Sequence, residues 1–282
     1  MVIIKKIFYI IQISRPINFA ITFFSLIVAG LICNENQLNG FIILAAISAS
    51  LVGSAGNIIN DIIDIQIDKV NRPQRILPSN KLTINEAKIT FIIFNLTAVV
   101  LAYLINLNAL LIVIISIVTI SSYSVYFKRV ALLGNIIVSF FTGLAFIYGG
   151  VSVNNFSEAI IPAVFAFLTN LIREIIKDIE DIKGDSAFNV ITFPSKFGIK
   201  TAKNLVLAIT VLLIIFTTIP FILSIYKIEF FIIVMTVINP LFLFMIKILY
   251  SSDNVRVMNK CSRITKLNMI LGLAAIYLGA LW

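Results

Sequence analysis

Nine apolar stretches of membrane-spanning length run along the chain, at about 16–33, 39–60, 86–106, 109–127, 132–152, 157–178, 202–224, 229–249 and 264–282. A helix needs roughly 20 residues to cross the hydrocarbon core of a bilayer, so each stretch predicts one transmembrane helix. The breaks are short and polar: Asn34 to Gln37, Asn154 to Ser157, Tyr226 to Glu229. The break at Asn106 to Asn108 is so short that its two helices must form a tight hairpin. Before the first span, Lys5 and Lys6 precede a short apolar run that superficially resembles a signal peptide. Arg15 and Pro16 follow at once and a full-length apolar helix comes next, so residues 3–13 predict a retained interfacial helix. The expectation is an all-α polytopic membrane protein, a single transmembrane domain over residues 1–282.

Composition agrees with that pattern. Of the 282 residues, 60% are hydrophobic and only 12% charged, about half the charge of a soluble domain. A soluble core of this size cannot bury so much apolar surface. The net charge of +9 raises nucleic-acid binding, but the basic residues are spread over many short loops rather than one face. Their placement serves topology. With the N-terminus cytoplasmic, the cytoplasmic segments 1–15, 61–88, 128–131, 173–203 and 247–266 contain every Lys and Arg except Lys227. The positive-inside rule then requires an odd number of spans and places the two longest loops, 61–85 and 179–201, in the cytoplasm. Cys33 and Cys261 fall on opposite sides of the membrane, so no disulfide is expected. The chain has no histidine, which excludes His-based catalysis and most zinc or haem sites.

The acidic residues are concentrated. Of 13 Asp and Glu, eight lie in two short segments, residues 57–68 and 173–185. Each carries Asp at spacings of three and then four: Asp61, Asp64, Asp68 and Asp178, Asp181, Asp185. On a helix each trio shares one face, joined by Asn57 in the first segment and Glu174 in the second. Carboxylates ~5–6 Å apart repel by roughly 3 kcal/mol per pair at an effective dielectric of 20. The negative end of the helix dipole adds to that repulsion, because both trios close their helices. A solvated helix end does not explain three acids on one face, twice. A bound cation does. Oxygen ligands without His or Cys select a hard ion such as Mg²⁺, which favours a few carboxylates with phosphate oxygens.

The two trios are 117 residues and four helices apart, so they open to the same side. The chain therefore reads as two parallel four-helix halves plus a ninth helix around a central cavity. Two acid faces meeting there could hold two or more Mg²⁺ on one diphosphate. Arg72 and Arg75 follow the first trio, Lys128 and Arg129 follow Tyr123 to Phe127, and Arg173 and Lys177 lead into the second. Individually each basic residue is explained by topology. As a set they lie where a leaving diphosphate needs countercharge. Arg173 and Lys177, one turn apart at the membrane edge, would cost ~2.5–3.5 kcal/mol to bury without a partner. The candidate metal and catalytic set is Asp61, Asp64, Asp68, Asp178, Asp181 and Asp185. The candidate substrate-binding set is Arg15, Asn57, Asn60, Arg72, Tyr123, Lys128, Arg173 and Lys177.

These motifs resemble the UbiA superfamily of intramembrane prenyltransferases. The likeness rests on Asn60-Asp61-x-x-Asp64-x-x-x-Asp68, the Asn71-Arg72-Pro73 run, Tyr123 to Lys128, Lys177-Asp178-x-x-Asp181-x-x-x-Asp185 and Thr192 to Gly198. It covers essentially the whole chain. It departs at Ile76, where the family often has a second Pro, and at Asn80, where it often has Gly. The resemblance implies a lipid-open cavity for a prenyl tail and Mg²⁺ bridging the Asp motifs to a prenyl diphosphate. Within the superfamily, residues 173–185 are most similar to the archaeal digeranylgeranylglyceryl phosphate synthases. That implies a geranylgeranyl diphosphate donor and a geranylgeranylglyceryl phosphate acceptor, joined in the second ether bond of archaeal lipids. Arg173 is the residue expected on the acceptor phosphate.

Two rival readings differ in testable ways. An aromatic acceptor of quinone type lacks the phosphate that would use Arg173 and Lys177. A cation transporter would place acids at the midplane of inverted repeats, whereas this repeat is parallel and its acids lie at one surface. The Asp-Gly-x-x-Ala-Arg pattern of phosphatidyl-alcohol transferases is absent.

Overall fold

The computed structural model describes residues 2–125, 130–187 and 190–280, with the side chains of residues 2, 3, 71, 124, 125 and 183–187 left undescribed. Lys128 therefore lies outside the described residues, and of Asp185 only the backbone is described. Among the described residues the chain is helical without strands. Helix α1 (Val2–Ile13) precedes the spanning helices α2 (Pro16–Cys33) and α3 (Gly40–Ile63), and a short α4 (Ile65–Asn71) follows. Next come α5 (Ile84–Tyr103), α6 (Leu107–Val125), α7 (Leu133–Val151) and the long α8 (Ile160–Ala187). The chain ends with α9 (Phe193–Phe197), α10 (Ile199–Ile222), α11 (Ile228–Ile233), α12 (Asn239–Leu249) and α13 (Val255–Gly279). Eight elements are long and apolar enough to span a membrane, and α6 adds a shorter apolar helix. The nine expected spans are all present, and the protein is a multi-pass membrane protein.

Local chemistry sets the boundaries. Asn39 and Asn254 cap α3 and α13 by accepting from the backbone N–H three residues on. Thr83 and Glu86 form a reciprocal capping box at α5, and Glu86 also pairs with Lys6 of α1. The eighth span carries a π-helical turn at Val234–Ile238. Pro240 follows at the start of α12 and has no N–H to continue the ladder. The displaced Ile238 carbonyl accepts from Asn268 Nδ2 of α13 at 3.3 Å.

Glycines bring the spans together, because hydrocarbon gives helices no hydrophobic reason to associate and close backbone contact must do so. A Cβ on Gly149 of α7 would lie 2.8 Å from Ala29 Cβ and 2.9 Å from the Leu26 carbonyl of α2. At Gly143 it would lie 2.7 Å from the Ala163 carbonyl of α8. The loop after α4 is anchored by Ile76 and Leu77, which are buried with Ile13, Ile58, Leu82 and Ala87. Asn80 holds φ 55, the left-handed conformation that Gly adopts freely and Asn tolerates best among residues with a side chain.

Candidate active site

The sequence places both acid segments at helix ends, and the fold brings those ends together. Arg72 at the end of α4 donates to both oxygens of Asp181 on α8, each at 2.9 Å. This contact joins the two acid motifs directly across 109 residues of chain. A polar cavity of about 610 Å³ opens there, lined by Asp64, Asp68, Asp178 and Asp181 with Arg72 and Arg75.

Helix α3 ends at Ile63, and Asp64 caps it with φ −85 and ψ 7 before α4 begins. Backbone bonds from Asp64 N–H to the Asn60 carbonyl and from Asp68 N–H to the Asp64 carbonyl carry across this junction and keep the trio together. Asp64 and Asp68 line the cavity, and Asp61, as buried as Asp68, lies beside them. Asp61 holds two arginines: Arg15 donates to Oδ1 at 2.6 Å and Arg75 to the same oxygen at 3.3 Å. Arg15 also donates to Asn57 Oδ1 at 3.0 Å. Its backbone is strained at φ 56, a conformation costing ~1–3 kcal/mol that the two side-chain contacts help to hold.

Arg75 spans the trio, donating at 2.6 Å to Asp68 Oδ2. Burial pushes the Asp68 carboxyl above the ordinary carboxylate range, and Arg75 only partly offsets that shift. Burial also disfavours charge on Arg75, but Asp61 and Asp68 outweigh it and raise its pKa. On α8, Asp178 accepts from Asn135 Nδ2 of α7 at 2.9 Å, and Glu180 accepts from Asn259 at 3.2 Å.

Among the described residues no three acids converge closely enough to cage a metal ion. Arginine or amide donors occupy oxygens of Asp61, Asp68, Asp178 and Asp181. The donor set still fits Mg²⁺ of a particular kind. Mg²⁺ prefers one or two carboxylates together with substrate phosphate oxygens to an all-protein cage. Asp64, Asp68, Asp178 and Asp181 provide such carboxylates from both motifs.

The same cavity also carries basic residues. Arg15, Arg173, Lys177 and Lys266 line it, with Glu174 among them. Glu174 does not face the metal side with the other acids of α8. It accepts from Arg173 at 3.0 Å and from Lys177 at 2.9 and 3.0 Å. Helix periodicity puts Glu174 in line with Asp178, but two adjacent cations on its own helix draw the side chain away. Arg15 is paired with Asp61, and Glu174 is shared by Arg173 and Lys177; the buried Nε of Arg173 makes no hydrogen bond among the described residues.

Lys266 was legible in sequence only as a topology residue. It stands at the cytoplasmic edge of the predicted ninth span, and a charge within those first span residues is the signal that could have marked it as functional. It donates to Asn18 Oδ1 at 2.8 Å and lies within electrostatic reach of Arg15, Arg173 and Lys177. Asn18, Asn135 and Lys266 come from three helices whose apposition no local pattern reveals. Of the expected binding residues, Asn57, Asn60 and Tyr123 line the polar cavity and also a second, apolar cavity beneath it. The apolar cavity continues between the spans, so a molecule with a charged head and a long apolar tail can occupy both.

Comparison with known proteins accords with this arrangement. The profile of the UbiA prenyltransferase family matches residues 19–270. Digeranylgeranylglyceryl phosphate synthase from Methanococcus aeolicus is 34% identical over 280 residues, covering 98% of this chain and 99% of that protein. A solved structure described as digeranylgeranylglyceryl phosphate synthase superposes with a TM-score of 0.77 at 32% identity, covering 98% of each chain. A UbiA homolog from Archaeoglobus fulgidus, solved with DMAPP and Mg²⁺, shares the fold at a TM-score of 0.65 and 17% identity, covering 95% of this chain and 98% of that one. The paired acid motifs, the nine spans and these matches have one common conclusion: the chain belongs to the UbiA prenyltransferase family, and it is a prenyltransferase.

Proposed function

We propose that the chain, acting as one domain over residues 1–282, transfers a geranylgeranyl group from geranylgeranyl diphosphate to the free hydroxyl of geranylgeranylglyceryl phosphate in a Mg²⁺-dependent reaction. The observation that carries this reading is the joint lining of the polar cavity by both acid motifs and by further cations. Asp64, Asp68, Asp178 and Asp181 line it together with Arg15, Arg173, Lys177 and Lys266. A metal-bound diphosphate suits the acids, and a phosphate monoester suits Arg173, Lys177 and Lys266. An aromatic acceptor has no use for those three cations beside Glu174.

Bound Mg²⁺ supplies Lewis-acid neutralisation of diphosphate charge. The chain's own residues do the rest. Arg72 and Arg75 stand beside the carboxylates as countercharge for the departing diphosphate. The basic side fixes the acceptor head, so that the hydroxyl is held against the allylic carbon. The allylic C–O bond to the diphosphate breaks, the ether C–O bond forms, and the hydroxyl proton passes to a carboxylate or leaves with the diphosphate. Asp61, expected as a metal ligand with the rest of its trio, also positions Arg15 and Arg75. The distribution of Lys and Arg supports a cytoplasmic N-terminus and active face.

The test is direct. Purified protein is incubated with geranylgeranyl diphosphate, Mg²⁺ and a panel of glyceryl phosphate and aromatic acceptors, and products are identified by mass. Digeranylgeranylglyceryl phosphate is the expected product. A prenylated aromatic formed in its place would overturn the reading.

A further inference from the structure

The acceptor carries an apolar chain of its own, and one apolar cavity lies beneath the active site. Gly149 brings α7 against Leu26 and Ala29 of α2 at the end of the spans remote from the acid motifs. The apolar cavity reaches down on both sides of that contact. On one side it is walled by α3 and α6, through Ala49, Val52, Gly53, Val113 and Ser116. On the other it is walled by α8 and α13, through Pro162, Phe165, Gly272, Leu273 and Ile276. The two sides belong to different packing clusters. Tyr148 of α7 packs with Val52 and Val113 on the first side, and Phe146 packs with Ala163 and Leu273 on the second.

Two glycines stand apart from the helix-packing ones. A Cβ added to Gly53 or Gly272 meets nothing within 4 Å. Both lie in the middle of spanning helices, where an unneeded glycine is costly, and both line the apolar cavity. Gly272 lies six residues, or about 9 Å of helix, beyond Lys266 on α13. Gly53 lies eleven residues, or about 16 Å, before Asp64 on α3. Gly272 thus shares its helix with Lys266, and Gly53 shares its helix with the Asp64 cap.

We infer that the α8/α13 lobe receives the acceptor's own isoprenoid chain, separately from the donor tail in the α3/α6 lobe, and that Gly272 is a specificity-determining residue whose missing side chain sets the bore of the acceptor lobe. The inference rests on the glyceryl phosphate acceptor proposed above. A Cβ at Gly272 meets no protein atom within 4 Å, so a side chain there would project into the cavity and displace acceptor methylenes.

The experiment compares wild type with Gly272→Leu and Gly53→Leu. Two acceptors share one glyceryl phosphate head but carry a geranylgeranyl or a shorter prenyl chain, and two donors differ likewise. Gly272→Leu is expected to lower the long-to-short acceptor ratio of kcat/KM by about tenfold or more, with the donor ratio moving less than about twofold. Gly53→Leu should do the reverse. A shift of the donor ratio by Gly272→Leu as large as that of the acceptor ratio, or no shift in either, overturns the inference. Wild-type protein provides a second readout that does not depend on the variants folding. An acceptor with a photoreactive group at its chain end should label segments 162–169 or 268–276, and labelling of 49–56 or 112–120 instead overturns the inference. Wild-type turnover of the acceptor in the same sample separates the two proposals. Turnover with the wrong label sinks the lobe assignment alone, and absence of turnover sinks the acceptor reading and this inference with it.

Discussion

Lys266 offers the cleanest test of the basic side of the cavity. Arg173 and Lys177 are both tied to Glu174, so removing either also disturbs a half-buried ion cluster. Lys266 pairs with no carboxylate among the described residues and contacts Asn18 instead. Lys266→Met keeps most of the aliphatic stem and deletes only the charge and that hydrogen bond. The loss in fold stability should be small, about 0.5–1.5 kcal/mol for one hydrogen bond. A cation about 5 Å from a phosphate contributes about 3 kcal/mol at an effective dielectric of 20. A water-accessible cavity reduces that towards 1 kcal/mol. The KM for geranylgeranylglyceryl phosphate should therefore rise between about fivefold and a hundredfold, with the KM for the diphosphate donor changing less than about threefold. Lys266→Arg should recover most of the loss, because it restores the charge at a similar reach. Initial rates measured with one substrate varied and the other saturating decide the matter. An equal rise in both KM values would place Lys266 on the donor, and no rise in either would leave the basic side without an acceptor role.

Four further outcomes follow from the same geometry. Asp64→Asn and Asp181→Asn should each reduce turnover at least about a thousandfold with the melting temperature little changed, and EDTA should do so reversibly on adding Mg²⁺; undiminished turnover in EDTA would falsify the metal role. Asp68 titrates above the ordinary carboxylate range because it is buried, so its proton competes with the metal at mildly acid pH. The Mg²⁺ concentration for half-maximal rate should be higher at about pH 5.5 than at about pH 7.5. For the same reason Asp68 contributes fold stability in its protonated form below its unfolded pKa, and that contribution is lost as pH rises through the raised folded value. Thermal melts of the metal-free protein, with Asp68→Asn for comparison, read that slope. Gly149→Val should force α2 away from α7, where a Cβ already meets Ala29 at 2.8 Å; overpacking of this kind costs about 1–3 kcal/mol and should appear as a lower melting temperature in detergent.

The sequence by itself determined the solvent, the spans and the pairing of motifs. Apolar runs of spanning length can be satisfied only as helices in lipid, and two acid trios four helices apart must open to the same side of the membrane. Helical spacing also predicted that carboxylates would gather, since like charges on one face need a cation. Only the tertiary structure decided which way each of those charges turned. Periodicity locates a side chain relative to its own helix axis and is silent about its partners, so it grouped the first trio without showing that Arg15 and Arg75 hold Asp61. It also aligned Glu174 with Asp178, although Arg173 and Lys177 draw Glu174 to the basic side. Asn18, Asn135 and Lys266 entered the site because α2, α7 and α13 approach it, and that approach depends on backbone contacts made at glycines such as Gly143 and Gly149. Gly53 and Gly272 read identically to those packing glycines in the sequence. What differs is the space beside them, and empty space is a property of how helices meet rather than of any residue in the chain.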